Sequence, residues 1–552
     1  MIKSHKLVFF LLILCCLSCK TTEEVKKVDY SDTLSVLCEV DKVSLKLQKE
    51  EGIEALSIAR NLKENRSDVE EARVIYQKAL KHAEEVLKNK IENKDWSGAF
   101  LYFTSIKACE PNFDDGLLKT ITSQLSASLD EKYPSLSKIR NKISSPKIAK
   151  TIDEMIDATV TVFVDRGIKV EKGMGYSDII LGSGFFIDDE GHFITNYHVI
   201  QSEVDSKYEG YSKLYIKNFE GSKDKIPAKV VGYDAFLDLA LVKAQVTPSH
   251  IFKLGSSKDL KVGNKCYAIG SPLGLERTVT QGIISSKDRQ LLPLAGVIQL
   301  DAAINHGSSG GPMVGENGEV QGVVFAGVTK TQGLNFAIPV ELLKLILPNL
   351  YNGGEHSHSW LASYGKDIDE TDDMSTGVVA SYIMPSGAAA MAGISDGDII
   401  THINDREVKN LGNLKLILME LPFSSIVKLT GKVKTEDGWQ NKNWFPVLQK
   451  RPESPASLIY KKDTVQRCIL PFYGLILENT GHKKRFRVKD VLRHSYGDEA
   501  GFMINDYLEI RNMQLDEDKG IVQTLFYAKK LKAAYIESFI GATTYIDNPG
   551  YF

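Results

Sequence analysis

From about residue 150 to 340 the chain is a succession of short β-branched and aromatic runs, TVTVFVD, FFID, KLYIK and AKVVGY among them, parted by glycines and charged turns. Runs of this length and composition are strands, and their close spacing identifies an all-β unit. Roughly 200 residues suffice for two small barrels or one large sandwich.

Three motifs inside this unit carry chemistry. NHGSSGGP, residues 305–312, places Ser309 in a glycine-bounded turn. A nucleophilic serine needs such a turn, because its own N–H and the one two residues earlier must converge on an oxyanion. Those donors are Gly307 and Ser309. GSGFFIDDEGHFITNYHVI, residues 182–200, is a hairpin whose second strand is expected to deliver His198. A general base has to be held on a rigid element beside the nucleophile. His192 competes, but it stands in the DDEGH turn. AKVVGYDAFLDLALVKA, residues 228–244, sets Asp238 between Leu237 and Leu239. A carboxylate buried there is costly without a partner, and orienting a histidine supplies one. Asp234 competes, but it lies in a turn and is expected to need no partner. The order His198, Asp238, Ser309 suits a Ser-His-Asp triad in a cleft between two barrels.

The flanks differ in texture. Residues 1–19 have a basic start (Lys3, Lys6), an apolar run from Leu7 to Leu17, then Ser18 and Cys19. This is a secretory signal layout. It is either a lipoprotein signal with Cys19 acylated, or a plain signal or short anchor. Cys16 stands where lipoprotein signals usually carry Leu. Residues 20–30 form a polar tether, and 31–148 follow a helical period. There, Ala72, Tyr76 and Ala79, and again Ala99, Phe103, Ile106 and Pro111, resemble part of a tetratricopeptide (TPR) repeat. The copies lie 27 residues apart, so an ordinary helical bundle competes with the TPR-like reading. After the β unit, NGGEHSHS looks like an exposed linker. Its two histidines have no third ligand in view, so no metal is expected.

The net charge of −3 over 552 residues gives no basic excess, so no nucleic-acid partner is expected. Cys38, Cys109, Cys266 and Cys468 are scattered without metal-ligand spacing and are expected to be small buried hydrophobes. Nothing calls for a cofactor.

GSGFFID, TNYHVI, DLALVK, IGSPLG, VTQGIIS, IQLDAAIN, GSSGGP and LNFAIP, in this order, resemble the HtrA/Deg family of trypsin-like serine proteases. GVVASYIMPSGAAAMAGISDGDIITHIN, and more loosely VKDVLRHSYGDEAGFMINDYLEIRN, resemble the PDZ domains attached to such proteases. The fold class implied is multidomain: an all-α, helical-repeat-like N-terminal domain, an all-β double-barrel protease domain over 150–350, and α+β PDZ-like domains over 356–450 and 466–552. The resemblance implies an ATP-independent endopeptidase of unfolded or misfolded exported polypeptides, with His198, Asp238 and Ser309 catalytic and Gly307 and Ser309 forming the oxyanion hole. It places Ile304 and the segment around Ala326 at a pocket for small or medium aliphatic side chains. It implies PDZ binding of C-terminal or apolar peptide segments at Trp360 and Leu361 in the first unit, where Trp360-Leu361-Ala362 lacks the usual glycine, and at Tyr473, Gly474 and Leu475 in the second. It further implies a homo-oligomer, a trimer, although the usual aromatic segment before the protease domain has no match here. An N-terminal lipid would hold the protein on a bacterial membrane, facing the periplasm or the cell exterior. The altered residues His306 and Ser308, and the extra helical domain, keep a second hypothesis in play: a catalytically silent lipoprotein scaffold or chaperone.

Overall fold

The computed structural model describes residues 30–552 except 142–144, 146, 207–211, 218–224, 271–277, 328–333, 369–375, 483 and 533. The signal segment, Cys19 and nearly all of the tether lie outside the described residues. Among those described, no helix is long and apolar enough to cross a membrane.

Helices Thr33–Gln48, Gly52–Asn65, Glu70–Glu92, Trp96–Cys109 and Asp115–Lys132 pack in succession, each against the next. Small residues let them approach: Ala72, Ala79 and Ala99 are fully buried, with Tyr76, Phe103 and Ile106 beside them. The two copies of the alanine-aromatic pattern therefore fall on consecutive helices. This array does not stand apart. Asn61 clasps the Phe445 backbone, its Nδ2 donating to Phe445 O at 3.1 Å and its Oδ1 accepting from Phe445 N at 3.0 Å. Arg60 lies over the Phe445 ring at 4.2 Å. Ile426 and Phe445, both from the first PDZ unit, are buried in the helical core.

The β unit is two barrels. In the first, strands Thr159–Glu171, Met174–Phe186, His192–Thr195, Lys213–Lys217, Ile226–Asp234 and Leu239–Ala244 close on themselves through the last two. Its interior follows the alternation of the strands, with Val160, Val162 and Val164 facing in. The second barrel closes through Lys265–Gly270, Thr278–Arg289, Val297–Leu300, Pro312–Gly315, Val320–Gly327 and Asn335–Pro339. Closure pairs the strands of each barrel with one another, leaving open the later part of Ile226–Asp234. Helix Val340–Asn352 then packs across the first barrel, and Gly354–Glu355 adds a short parallel strand to Ile226–Asp234.

The first PDZ unit has five strands in the order Ser363–Asp367, Val378–Ile383, Ile399–Ile403, Leu429–Thr435 and Gly438–Trp444, with helix Leu411–Met419 alongside. The second is a five-stranded meander running from Leu475–Asn479 to Ala534–Tyr545. It starts earlier than residue 466, because Ala456 and Ile459 of helix Pro455–Lys462 sit in its core. It also surrenders its last residues, which pair with the first unit.

Candidate active site

His198 is not on the strand. The strand ends at Thr195, Asn196 takes the N-cap place, and His198 lies in the first turn of helix Tyr197–Val204. The first N–H groups of a helix have no partner within it. Asp238 supplies one: its Oδ1 accepts from His198 N at 2.9 Å, while Oδ2 meets His198 Nδ1 at 2.8 Å. One carboxylate thus caps the helix and orients the ring. Asp238 reaches that place through a left-handed backbone (φ 53°) between buried Leu237 and Leu239, and Asn196 Nδ2 pins its carbonyl at 2.8 Å. Partial desolvation draws the His198 pKa down, but the hydrogen bond to Asp238 and its charge outweigh this and hold it above the ordinary value.

The Ser309 turn is pressed against the same elements. Gly310 has φ 88°, and a Cβ there would lie 2.1 Å from Ser183 O and 2.4 Å from Thr195 Oγ1, so only glycine permits the approach. Ser183 N donates to Ser309 O at 2.7 Å, and Ser183 Oγ to Gly307 O at 2.6 Å. Gly307, with φ 98°, needs the same freedom. Among the described residues neither the Gly307 nor the Ser309 N–H donates to another protein group. Ser309 Oγ itself donates to Phe325 O at 3.3 Å. The motif residues GSG and TN, singled out only as flanks of the histidine strand, prove to hold the nucleophile turn.

The other expected residues are placed as follows. Ile304 packs partly buried on the second barrel's core, and Ala326 lies on its strand Val320–Gly327 opposite Phe336. His306 is exposed. Leu361 is buried in the first PDZ core, and Ala362 adopts a left-handed φ of 62°. Trp360 is buried towards the second unit. The second unit places the expected peptide-binding turn, Tyr473, Gly474 and Leu475, at the end of helix Val465–Tyr473. Gly474 is the left-handed cap of helix Val465–Tyr473, Leu475 is fully buried, and the Tyr473 hydroxyl bonds Thr524 Oγ1 at 2.8 Å. Residues 517–520 form a turn where the first unit has its groove helix.

Both rejected competitors have partners. His192 Nδ1 meets Asp188 Oδ2 at 2.6 Å, and that oxygen also accepts from the Tyr351 hydroxyl at 2.8 Å. Asp234, expected to need no partner, is fully buried and pairs with His358 Nε2 at 2.7 Å, while its Oδ1 accepts from Phe236 N and Leu237 N. The linker histidines are therefore not exposed, and the third group missing from the sequence is Asp234. Ligand-type atoms of Asp234, His356 and His358 lie within 4.8 Å of one another. Burial, with the neighbouring His358, pushes His356 down to about 4 and keeps it neutral. A metal here would have to replace the Asp234–His358 bond. It would also lie near the buried Arg451 guanidinium, which covers the Phe236 ring that His358 meets edge-on. The trio reads as a joint between the first barrel and the first PDZ unit.

Two barrels with a histidine–aspartate pair and a glycine-bounded serine turn define a trypsin-like domain. Sequence profiles agree: a trypsin-like peptidase domain matches residues 182–323, a PDZ domain 361–431, and a TP0546 family PDZ domain 456–546. A domain of unknown function matches 35–122. The chain is 32% identical over 363 residues to Protease Do-like 1, chloroplastic, of Arabidopsis thaliana, covering 59% of this chain and 79% of that one. It is 34% identical over 286 residues to a probable periplasmic serine endoprotease DegP-like of Marinomonas sp., covering 50% and 58%. Against a relative of that description from Rickettsia prowazekii the identity is 38% over 269 residues, covering 46% and 50%. The chain thus spans about half the length of these two bacterial relatives. A solved structure of the HtrA-type protease AlgW with a decapeptide aligns over 54% of this chain and 96% of its own, at 25% identity and a TM-score of 0.45. The chain belongs to the HtrA/Deg family of trypsin-like proteases with PDZ domains.

Proposed function

We propose that the chain is a serine endopeptidase that hydrolyses unfolded or damaged exported polypeptides without ATP. The observation that carries this reading is the two-point hold of Asp238 on His198 beside the Ser309 turn. Ser309 Oγ attacks the scissile carbonyl as His198 Nε2 takes its proton. The N–H groups of Gly307 and Ser309 receive the oxyanion, the imidazolium protonates the departing amine, and water then hydrolyses the acyl-enzyme by the same route. Because Oγ now leans on Phe325 O, a rotation towards His198 precedes attack. Ile304 and the segment around Ala326, small or apolar, suit cleavage after small or medium aliphatic residues. The first PDZ unit binds peptide segments at Leu361 and the neighbouring edge strand.

The periplasmic naming of bacterial relatives supports export. Acylation at Cys19 would hold the protein on a membrane surface. The helical domain acts as a TPR-like support, clasping the first PDZ unit through Asn61.

A fluorophosphonate probe tests the activity. Wild type is expected to label and to cleave casein, and Ser309→Ala to do neither. If wild type labels no better than Ser309→Ala, even with unfolded substrate or PDZ peptide present, the chain is the silent scaffold.

A further inference from the structure

We propose that the peptide groove of the first PDZ unit is an intramolecular binding site occupied by this chain's own segment Asp547–Phe552, which any outside peptide must displace. The inference rests on the peptide-binding role given above and specifies its occupant.

The groove lies between strand Ser363–Asp367, an edge of its sheet, and helix Leu411–Met419. An edge strand presents unpaired N–H and C=O groups and accepts an added strand. Here the added strand is already present. Ser363 N donates to Phe552 O at 3.1 Å, Phe552 N to Ser363 O at 3.0 Å, and Gly365 N to Gly550 O at 3.0 Å, an antiparallel ladder through Tyr364 and Tyr551. Side chains alternate as a strand requires. Phe552 is buried in the first unit's core with Leu361, Leu414, Ile417 and Leu418. Tyr551 is fully buried on the other side, in the second unit's core.

The fit depends on two glycines. A Cβ on Gly365 would stand 2.2 Å from Val379 O of the neighbouring strand and 2.9 Å from the Phe552 ring, and one on Gly550 would stand 2.1 Å from the Tyr364 ring. Two cations hold the approach to the groove. Arg451, fully buried, makes a bidentate pair with Asp547 at 2.6 and 2.7 Å. Lys415, on the groove helix, donates to Pro549 O at 2.9 Å and to Pro293 O at 3.0 Å. Pro293 belongs to the protease segment between strands Thr278–Arg289 and Val297–Leu300. The occupied groove therefore describes its own ligand class: an extended peptide with a large aromatic residue in the pocket and glycine two positions before it.

A tethered occupant competes at an effective concentration in the millimolar range, so it weakens outside binding on the order of 100-fold. The test uses the full chain in a Ser309→Ala background and a fluorescein-labelled IDNPGYF peptide, with affinity read by anisotropy. Gly550→Val expels the segment by its clash with Tyr364. Phe552→Asp expels it independently, by placing a charge in the apolar pocket. Both variants are expected to bind the probe about 100-fold more tightly than the unaltered segment allows. Without peptide, the Ser363 and Gly365 amides of the parent are expected to exchange slowly. Equal affinity in all three chains, or fast exchange at those amides, overturns the inference while leaving peptide binding intact. No binding by any of them removes the peptide-binding role itself, and the inference with it.

Discussion

Asp238→Asn exchanges one carboxylate oxygen for an NH2 group and isolates what that carboxylate does. At present both oxygens accept, one from the His198 backbone and one from its ring. Asparagine has a single acceptor. The His198 N–H opens a helix and meets Asp238 alone among the described residues, so the amide oxygen stays there and the NH2 faces Nδ1. Nδ1 must then accept, the ring proton moves to Nε2, and the nitrogen that takes the Ser309 proton in the proposed mechanism can no longer do so. The backbone adapts without strain, because Asn readily adopts the φ of 53° found at Asp238. A carboxamide at this place in a Ser-His-Asp triad costs about 10⁴-fold in kcat, or about 5.4 kcal/mol of barrier. The assay is kcat/KM on quenched-fluorescent casein from about pH 5 to 9, beside the melting temperature. The expected result is a loss of about 10⁴-fold near neutrality with the melting temperature almost unmoved. A loss under about tenfold in a folded variant would refute the tautomer argument. In wild type, activity should rise with pH through a midpoint above the ordinary 6.5, because the base must be neutral and Asp238 favours its charged form.

Asp234→Ala should lower stability by about 3–5 kcal/mol in urea denaturation, since it leaves His358 and two backbone N–H groups buried without their acceptor. Asp238→Ala, four residues away, should cost far less stability but most of the activity. Burial and the Arg451 charge pull Lys415 down to about 8, below its ordinary value, so the unfolded chain binds more protons above that pH. The contribution of this group to stability should therefore rise as pH climbs from about 8 towards 10.5, and Lys415→Met should remove that contribution from the difference between the two pH profiles. Burial pushes the Cys266 and Cys468 thiols up to about 12, so iodoacetamide should modify Cys38 in the folded chain and spare these two.

Local pattern made the chemistry legible. Short β-branched runs mark barrel strands wherever they fold, and the Ser309 turn needs glycine at Gly307 and Gly310 for their positive φ and at Gly311 because a Cβ there would stand 2.2 Å from Ile269 O. Their flanks single out His198, Asp238 and Ser309 as candidates, and Cys109, Cys266 and Cys468 are buried as expected, whereas Cys38, expected to be buried with them, is exposed. What flanks cannot show is contact over long separations. Asp234 looked like a turn residue because His358, which pairs with it, lies 124 residues on. The clasp of Asn61 on Phe445, and the seating of Phe552 beside Ser363, use backbone groups that every residue carries. Sequence by itself therefore determined the kinds of domain and the candidate reacting side chains, which depend on local conformation and side-chain chemistry. Only the tertiary structure decided how the domains are joined and what fills the first PDZ groove, because those contacts are made by backbone amides and buried charges whose partners are distant in the chain.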